Sequence, residues 1–315
     1  MRPIGGELEC EKPEYSVYYT DSGRSSLRLF LRSNDNKNKF YLLPSFLCSV
    51  VVDVFKEENI KYEFYCILPS LKVDIESINN SNYDVLYIVN FFGEYLDLNG
   101  VFLKNKILIE DNVFFHDFSN VRKVKNWFSF NSFRKISQVS DGSVIKTNLP
   151  IDSSLISKEE SCFSEEKYIA KDMKYKYIHK DLFSQSEYLD GFYHAESLLD
   201  SQKKIYTISN KTLDILIAIN WFSQMFIQKK RFNYLENIFG EYSLNLNPVF
   251  HSYYILKIKN RNYLKKELMK YNIYLPVHWS KFEHDNILYD EIISIPLFSI
   301  YSDNEFHQYI SKIKD

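Results

Sequence analysis

The stretch Lys106-Ile107-Leu108-Ile109-Glu110-Asp111 decides the fold. An apolar run of strand length that ends in two carboxylates is the pattern of a buried strand, with charge only where the chain leaves the sheet. In a parallel sheet that exit is the carboxyl edge, where α/β proteins hold ligands. The same pair of carboxylates also fits a plain solvated strand end, and the hexapeptide alone does not choose. Its surroundings settle the class. Residues 41–43, 61–68, 84–90, 106–110, 127–131 and Ser143–Thr147 carry the Tyr, Ile, Val and Phe content of strands, with turn-type residues between them. Residues 25–32 read as a short helix entered from the Ser22-Gly23 turn, and residues 46–58 repeat their apolar positions at helical spacing. Strands alternating with helices predict a largely parallel sheet covered on both faces.

After Pro150 the pattern changes. Residues 159–200 and 212–239 read as two long helical stretches, the first charged and rich in aromatics. The last third predicts a strand at 252–259, a helix at 263–271, strands at 273–278 and 292–295, and a closing helix at 304–313. This divides the chain into a large α/β domain, 1–200, and a small C-terminal α+β domain, 201–315. A length of 315 residues agrees with two domains at about 150 residues each.

Lys and Arg total 39 against 41 Asp and Glu, so the net charge of −2 gives no reason to expect nucleic acid or an anionic membrane as a partner. The four cysteines (Cys10, Cys48, Cys66 and Cys162) show no CxxC or Cys/His metal spacing and fit the scattered thiols of a reduced, intracellular protein. Residues 1–14 lack the apolar centre of a signal peptide, and the longest apolar stretch, 213–227, is interrupted by Asp214, Asn220 and Gln224. The expectation is a soluble cytoplasmic protein.

Three segments can carry chemistry. In Asp21-Ser22-Gly23-Arg24-Ser25-Ser26 a small hydroxyl-rich turn opens a helix, and the free N–H groups of such a turn suit a phosphate. An ordinary Ser N-cap is the competing explanation. Glu110-Asp111 supplies a carboxylate at the sheet edge. In Ser132-Phe133-Arg134-Lys135, followed by Asp141-Gly142-Ser143, a lysine just past a hydrophobic strand can be desolvated into a nucleophile for carbonyls; a solvated surface lysine is the alternative.

The order of these segments resembles that of the DegT/StrS-type sugar aminotransferases, fold-type-I enzymes dependent on pyridoxal 5'-phosphate (PLP). The resemblance rests on Ser22-Gly23-Arg24-Ser25-Ser26-Leu27, Leu42-Leu43-Pro44-Ser45-Phe46-Leu47-Cys48, Ile109-Glu110-Asp111 and Ser132-Phe133-Arg134-Lys135. It extends to Gly5-Gly6, Arg231-Phe232-Asn233-Tyr234, Ile273-Tyr274-Leu275-Pro276-Val277-His278-Trp279 and Ile293-Ser294-Ile295-Pro296-Leu297. It implies a mostly parallel central sheet flanked by helices, and transfer of an amino group from an amino acid, glutamate by expectation, to a nucleotide-linked keto sugar. The other reading it allows is a non-catalytic relative that binds or regulates.

By this resemblance Lys135 holds PLP as a Schiff base and shuttles the proton. Asp111 pairs with the pyridine nitrogen, and Phe46 stacks on the ring. Gly23, Arg24, Ser25 and Ser132 bind the phosphate. A homodimer is implied, with Asn210 or Lys211 reaching the phosphate turn of the partner. This chain departs from the family pattern at Cys48, where better-known members have the stacking aromatic, at Phe114, where many have His or Gln, and at Ser143, where a second glycine is common. From its own surroundings, following a strand and beside Trp279, His278 is read equally as a site residue or a structural one. Arg231 is read as a binder of a substrate carboxylate or phosphate or, by default, as a helix-surface salt bridge, and residues 163–177 as a solvated helix face.

Overall fold

The computed structural model describes residues 13–279, 281, 286–298 and 302–314; Gly5, Gly6 and Cys10 lie outside them. β1 (Ser16–Thr20) leads into α1 (Gly23–Arg32), followed by β2 (Phe40–Pro44), α2 (Ser49–Glu57), β3 (Lys61–Tyr65), the short α3 (Ile75–Asn79) and β4 (Val85–Val89). β5 (Ile107–Asp111), β6 (Trp127–Phe130) and β7 (Ser143–Thr147) complete the large sheet. Then come β8 (Ile156–Ser157), α4 (Cys162–Lys180), α5 (Gln185–Ser201), β9 (Ile205–Tyr206), α6 (Asn210–Ala218) and α7 (Trp221–Phe239). β10 (Tyr253–Lys257), α8 (Arg261–Met269), α9 (Leu288–Glu291), β11 (Ile292–Pro296) and α10 (Asp303–Lys314) close the chain.

The seven-stranded sheet has the order β1-β7-β6-β5-β4-β2-β3. Only β7 runs against its neighbours; the other pairs are parallel. All five residues of β4 are buried, which is why its sequence is a continuous apolar run with no alternation. Because β1 is antiparallel to β7, it points the same way as β6, β5, β4 and β2. The exits of those strands therefore share one edge. This edge collects Asp21–Gly23, Phe46–Cys48, Asn90–Phe92, Asp111 and Ser132–Lys135.

A separate core joins α7, α8 and α10 to the β10–β11 pair through Leu235, Leu268, Ile293, Ile295, Phe306 and Ile310. Arg231 of α7 is 3% exposed within this unit. It donates to the Phe298 carbonyl and lies 3.5 Å from Asp303, so it clamps two segments from inside and is not a surface ion pair.

Three further expectations are corrected. The helical stretch at 159–200 is two helices: Asp181 takes a left-handed φ of 51° that ends α4, and Ser184 with Glu187 forms a capping box that starts α5. Residues 163–177 are not simply solvated, because Phe163 and Ala170 are buried. Residues 273–278 form no strand. Pro276 has no N–H to give a ladder, although its carbonyl accepts from Ser294 N. Among the described residues no helix is long and apolar enough to cross a membrane.

Candidate active site

Backbone bonds tie three of the sequence motifs together at the sheet edge. Gly142 N donates to the Asp21 carbonyl (2.6 Å), and Phe133 N donates to the Gly142 carbonyl (2.9 Å). Gly142 has a φ of 103°, and a side chain there would stand 2.8 Å from Ile208, so glycine is required on both counts. A side chain at Gly23 would meet the Phe130 ring at 3.3 Å, which explains why the turn lies close on β6. The Asp141 carboxylate, fully buried, accepts from Ser209 N (2.9 Å), Ser209 Oγ (2.8 Å), Ser164 Oγ (2.7 Å) and Thr212 Oγ1. It thereby pins the starts of α4 and α6 beside the Gly23 and Lys135 turns.

Glu110 and Asp111 are consecutive in a strand, so they project to opposite faces of the sheet. Glu110 is held by Arg122 and by Ser129 Oγ (2.9 Å), a buried structural pair. Asp111 faces the candidate site. Tyr87 Oη donates to its Oδ2 (2.7 Å) and Val113 N to its Oδ1 (3.0 Å). Burial pushes the Asp111 carboxyl up to about 6, against the opposing pull of Tyr87, the Val113 amide and the Lys135 charge.

Lys135 ends a one-turn helix, Phe133–Lys135, whose first residue follows Ser132; Lys135 N donates to the Ser132 carbonyl (3.0 Å) and Tyr253 Oη to the Lys135 carbonyl (2.9 Å). No described residue hydrogen-bonds or ion-pairs with its Nζ. Burial lowers its ammonium to about 8, helped by the neighbouring Arg134 charge and opposed by Cys48 and Glu196. The Cys48 thiol stands in the same field, its pKa raised by burial and drawn back by Lys135 and Arg24.

A cluster of charged side chains acts on Lys135. Glu196 of α5 takes ion pairs from Lys167 (2.6 Å), Arg134 (2.9 Å) and Arg24 (3.8 Å). Burial alone would raise its carboxyl, but Arg134 and Lys167 bring it down to about 2. The Arg24 side chain points to Glu196 and Asp200, so its guanidinium is engaged with α5 and only its backbone belongs to the Gly23 turn. Ser25 Oγ is 3.2 Å from Ser22 Oγ and accepts from Gln202 Nε2 (3.3 Å). Ser132 is buried at the Lys135 turn.

Phe46, the ring expected to stack on the cofactor, lies at the entry to α2. Its ring, 1% exposed, is packed against Phe91 (5.7 Å), Trp279 (4.7 Å) and Tyr289 (4.8 Å), while Cys48 shares the electrostatic surroundings of Lys135 and Asp111. Asn210 and Lys211 begin α6. Asn210 N donates to Glu160 (2.9 Å), and the Lys211 ammonium lies over the Tyr168 ring of its own chain (3.5 Å).

Sequence reasoning missed Tyr87, Glu196 and Lys167. Tyr87 carried a signal, a hydroxyl in an otherwise apolar strand; Glu196 and Lys167 carried none, being two charges among many on long helices. The residues present suit PLP. The amine is desolvated and unpartnered, a buried carboxylate stands near it, and the α1 N-terminus opens on the same edge.

No protein-family model matches the sequence, and no curated protein matches it by sequence. Solved structures match by fold. A DegT/DnrJ/EryC1/StrS aminotransferase from Brucella abortus superposes with a TM-score of 0.58 at 15% identity, over 95% of this chain and 85% of that one. The sugar aminotransferase CalS13 from Micromonospora echinospora gives 0.59 at 11% identity over 95% and 86%. Spr1654 from Streptococcus pneumoniae, in its PLP-form, gives 0.62 at 14% identity over 95% and 86%. The chain has the fold of the fold-type-I PLP aminotransferases.

Proposed function

We propose that this protein is a PLP-dependent aminotransferase that moves an amino group from an amino acid, glutamate in our reading, to a keto sugar carried on a nucleotide. The observation that carries the proposal is that Lys135 and Asp111 come together at the carboxyl edge of the sheet, close enough for the lysine charge to act on the buried carboxylate. The fold neighbours, sugar aminotransferases among them, support the sugar part of the reading.

When bound, PLP supplies an aldehyde for the amine and a ring that accepts electrons from the substrate carbon. Lys135 Nζ would hold the cofactor and would move the proton at the reacting carbon, a task suited to an amine with a pKa near 8. Asp111 holds the proton on the ring nitrogen. The N–H groups of Gly23 and Arg24, with the Ser25 and Ser132 hydroxyls, receive the phosphate at the positive end of α1. Domains at 1–200 and 201–315, and a homodimer, belong to the same reading.

The test is direct. Purified protein incubated with PLP should show a visible absorbance band that borohydride removes, and peptide mapping should find the label on Lys135. Turnover of an amino donor then separates an enzyme from a protein that only binds the cofactor.

A further inference from the structure

His278 is brought against the Lys135 site from the far end of the sequence. Its ring stands edge-on to Tyr253 (4.5 Å, 79°) and to Phe114 (5.1 Å, 79°), and tilted against Phe92 (5.4 Å, 54°). Its Nε2 is buried, and among the described residues nothing hydrogen-bonds to it. A buried imidazole nitrogen without a partner is a costly arrangement in a folded chain, and a ligand that hydrogen-bonds to it would remove that cost.

The Lys135 charge acts on His278, and Lys135 Nζ is unpartnered as well. His278 Nε2 and Lys135 Nζ thus both lack a hydrogen-bond partner among the described residues, and the charge of one reaches the other. Phe92 and Phe114 offer no donor or acceptor, and the Tyr253 hydroxyl is committed to the Lys135 carbonyl. Burial and the Lys135 charge hold the His278 pKa down to about 3, so the ring is neutral and Nε2 can carry a proton to donate.

We propose that His278 positions the cofactor, donating from Nε2 to the phenolic oxygen that a pyridoxal ring carries on the carbon next to its aldehyde. The inference rests on the aminotransferase reading above. An atom attached to Lys135 has that oxygen as its nearest polar neighbour on the ring, so a donor beside Lys135 meets it whatever substrate follows.

The titratable and charged groups facing His278 are few. Lys135 acts from its turn, Tyr253 faces it from β10 with its hydroxyl engaged, and Phe92, Phe114 and Trp279 are neutral. A pH effect on the bound cofactor that changes with His278 is therefore readable.

The experiment titrates the parent, His278→Phe and His278→Gln with PLP, following binding by dialysis and the visible band against pH. Circular dichroism checks folding, with His278→Met replacing the Phe variant if that one does not fold. Loss of one charge-assisted hydrogen bond should weaken PLP binding by about tenfold in His278→Phe. It should also raise the pH midpoint of the band by about one unit, because the phenolic oxygen then holds more tightly the proton it shares with the Lys135 nitrogen. His278→Gln keeps a donor and should return both values toward the parent. Parent-like binding and midpoint in His278→Phe overturn the proposal, as does a folded Gln variant no better than Phe. A band in the parent confines either failure to His278. No band in the parent overturns this proposal together with the aminotransferase reading.

Discussion

Lys135 should capture an aldehyde at neutral pH far faster than an ordinary lysine. Its ammonium is brought from 10.5 to about 8 by burial and by Arg134. At pH 7 about 9% of such an amine is unprotonated, against roughly 0.03% for an unshifted lysine, so the free base is enriched by about 300-fold. The assay is trapping of PLP by borohydride between pH 6 and pH 10, with the pyridoxyl label quantified by peptide mapping. The yield at Lys135 should rise with a midpoint near pH 8.

The informative competitor is Lys171. Burial lowers its ammonium as well, to about 7, but its Nζ is tied to the carbonyls of Val139 (2.7 Å) and Gln138 (3.2 Å), so it should label poorly. Glu196→Gln supplies an internal control. The Glu196 charge favours protonated Lys135, so removing it should move the midpoint to lower pH. A midpoint near pH 10, or a label mainly on Lys171, would refute the reasoning.

Asp111→Asn should keep PLP and lose at least about tenfold in transamination, since an amide cannot hold the ring proton; a stopped-flow assay of the amino-donor half-reaction reads this. The same variant tests the apoprotein: a carboxyl raised from 3.8 to about 6 gives stability that is fully present below about pH 4 and lost as pH climbs through about 6. The Asn variant should therefore be more stable than the parent by roughly 3 kcal/mol at pH 8 and show little gain at pH 4, by chemical denaturation. Asp141→Ala removes the acceptor of four hydrogen bonds and should cost about 3–5 kcal/mol, seen as a lower Tm, while Ser164→Ala alone should cost only about 1 kcal/mol. PLP should stabilise a dimer in sedimentation, because a ligand held by both chains favours the assembled state; a monomer that still holds PLP tightly would rule out a shared site.

The alternation of short apolar runs with helical spacing determined, from the sequence alone, that the first half is a sheet with covering helices. Burial on both faces leaves its mark in each strand separately, as in the wholly apolar Val85–Val89. The sequence likewise placed Gly23, Asp111 and Lys135 at element ends, because a turn glycine or a charge closing an apolar run is a local feature.

Facing and neighbourhood were decided only by the tertiary structure. Which of Glu110 and Asp111 enters the pocket depends on the pleat parity of β5, and whether Phe46 or Cys48 stands by Lys135 depends on how the chain enters α2. Glu196 reaches Arg134 across 62 residues of chain. His278 reaches Phe114 only because the β10–β11 unit packs over the sheet edge. Apolar periodicity records how deeply an element is buried. It carries no information about which distant side chain completes the contact, since that follows from the crossovers between elements and not from the residues beside it in the chain.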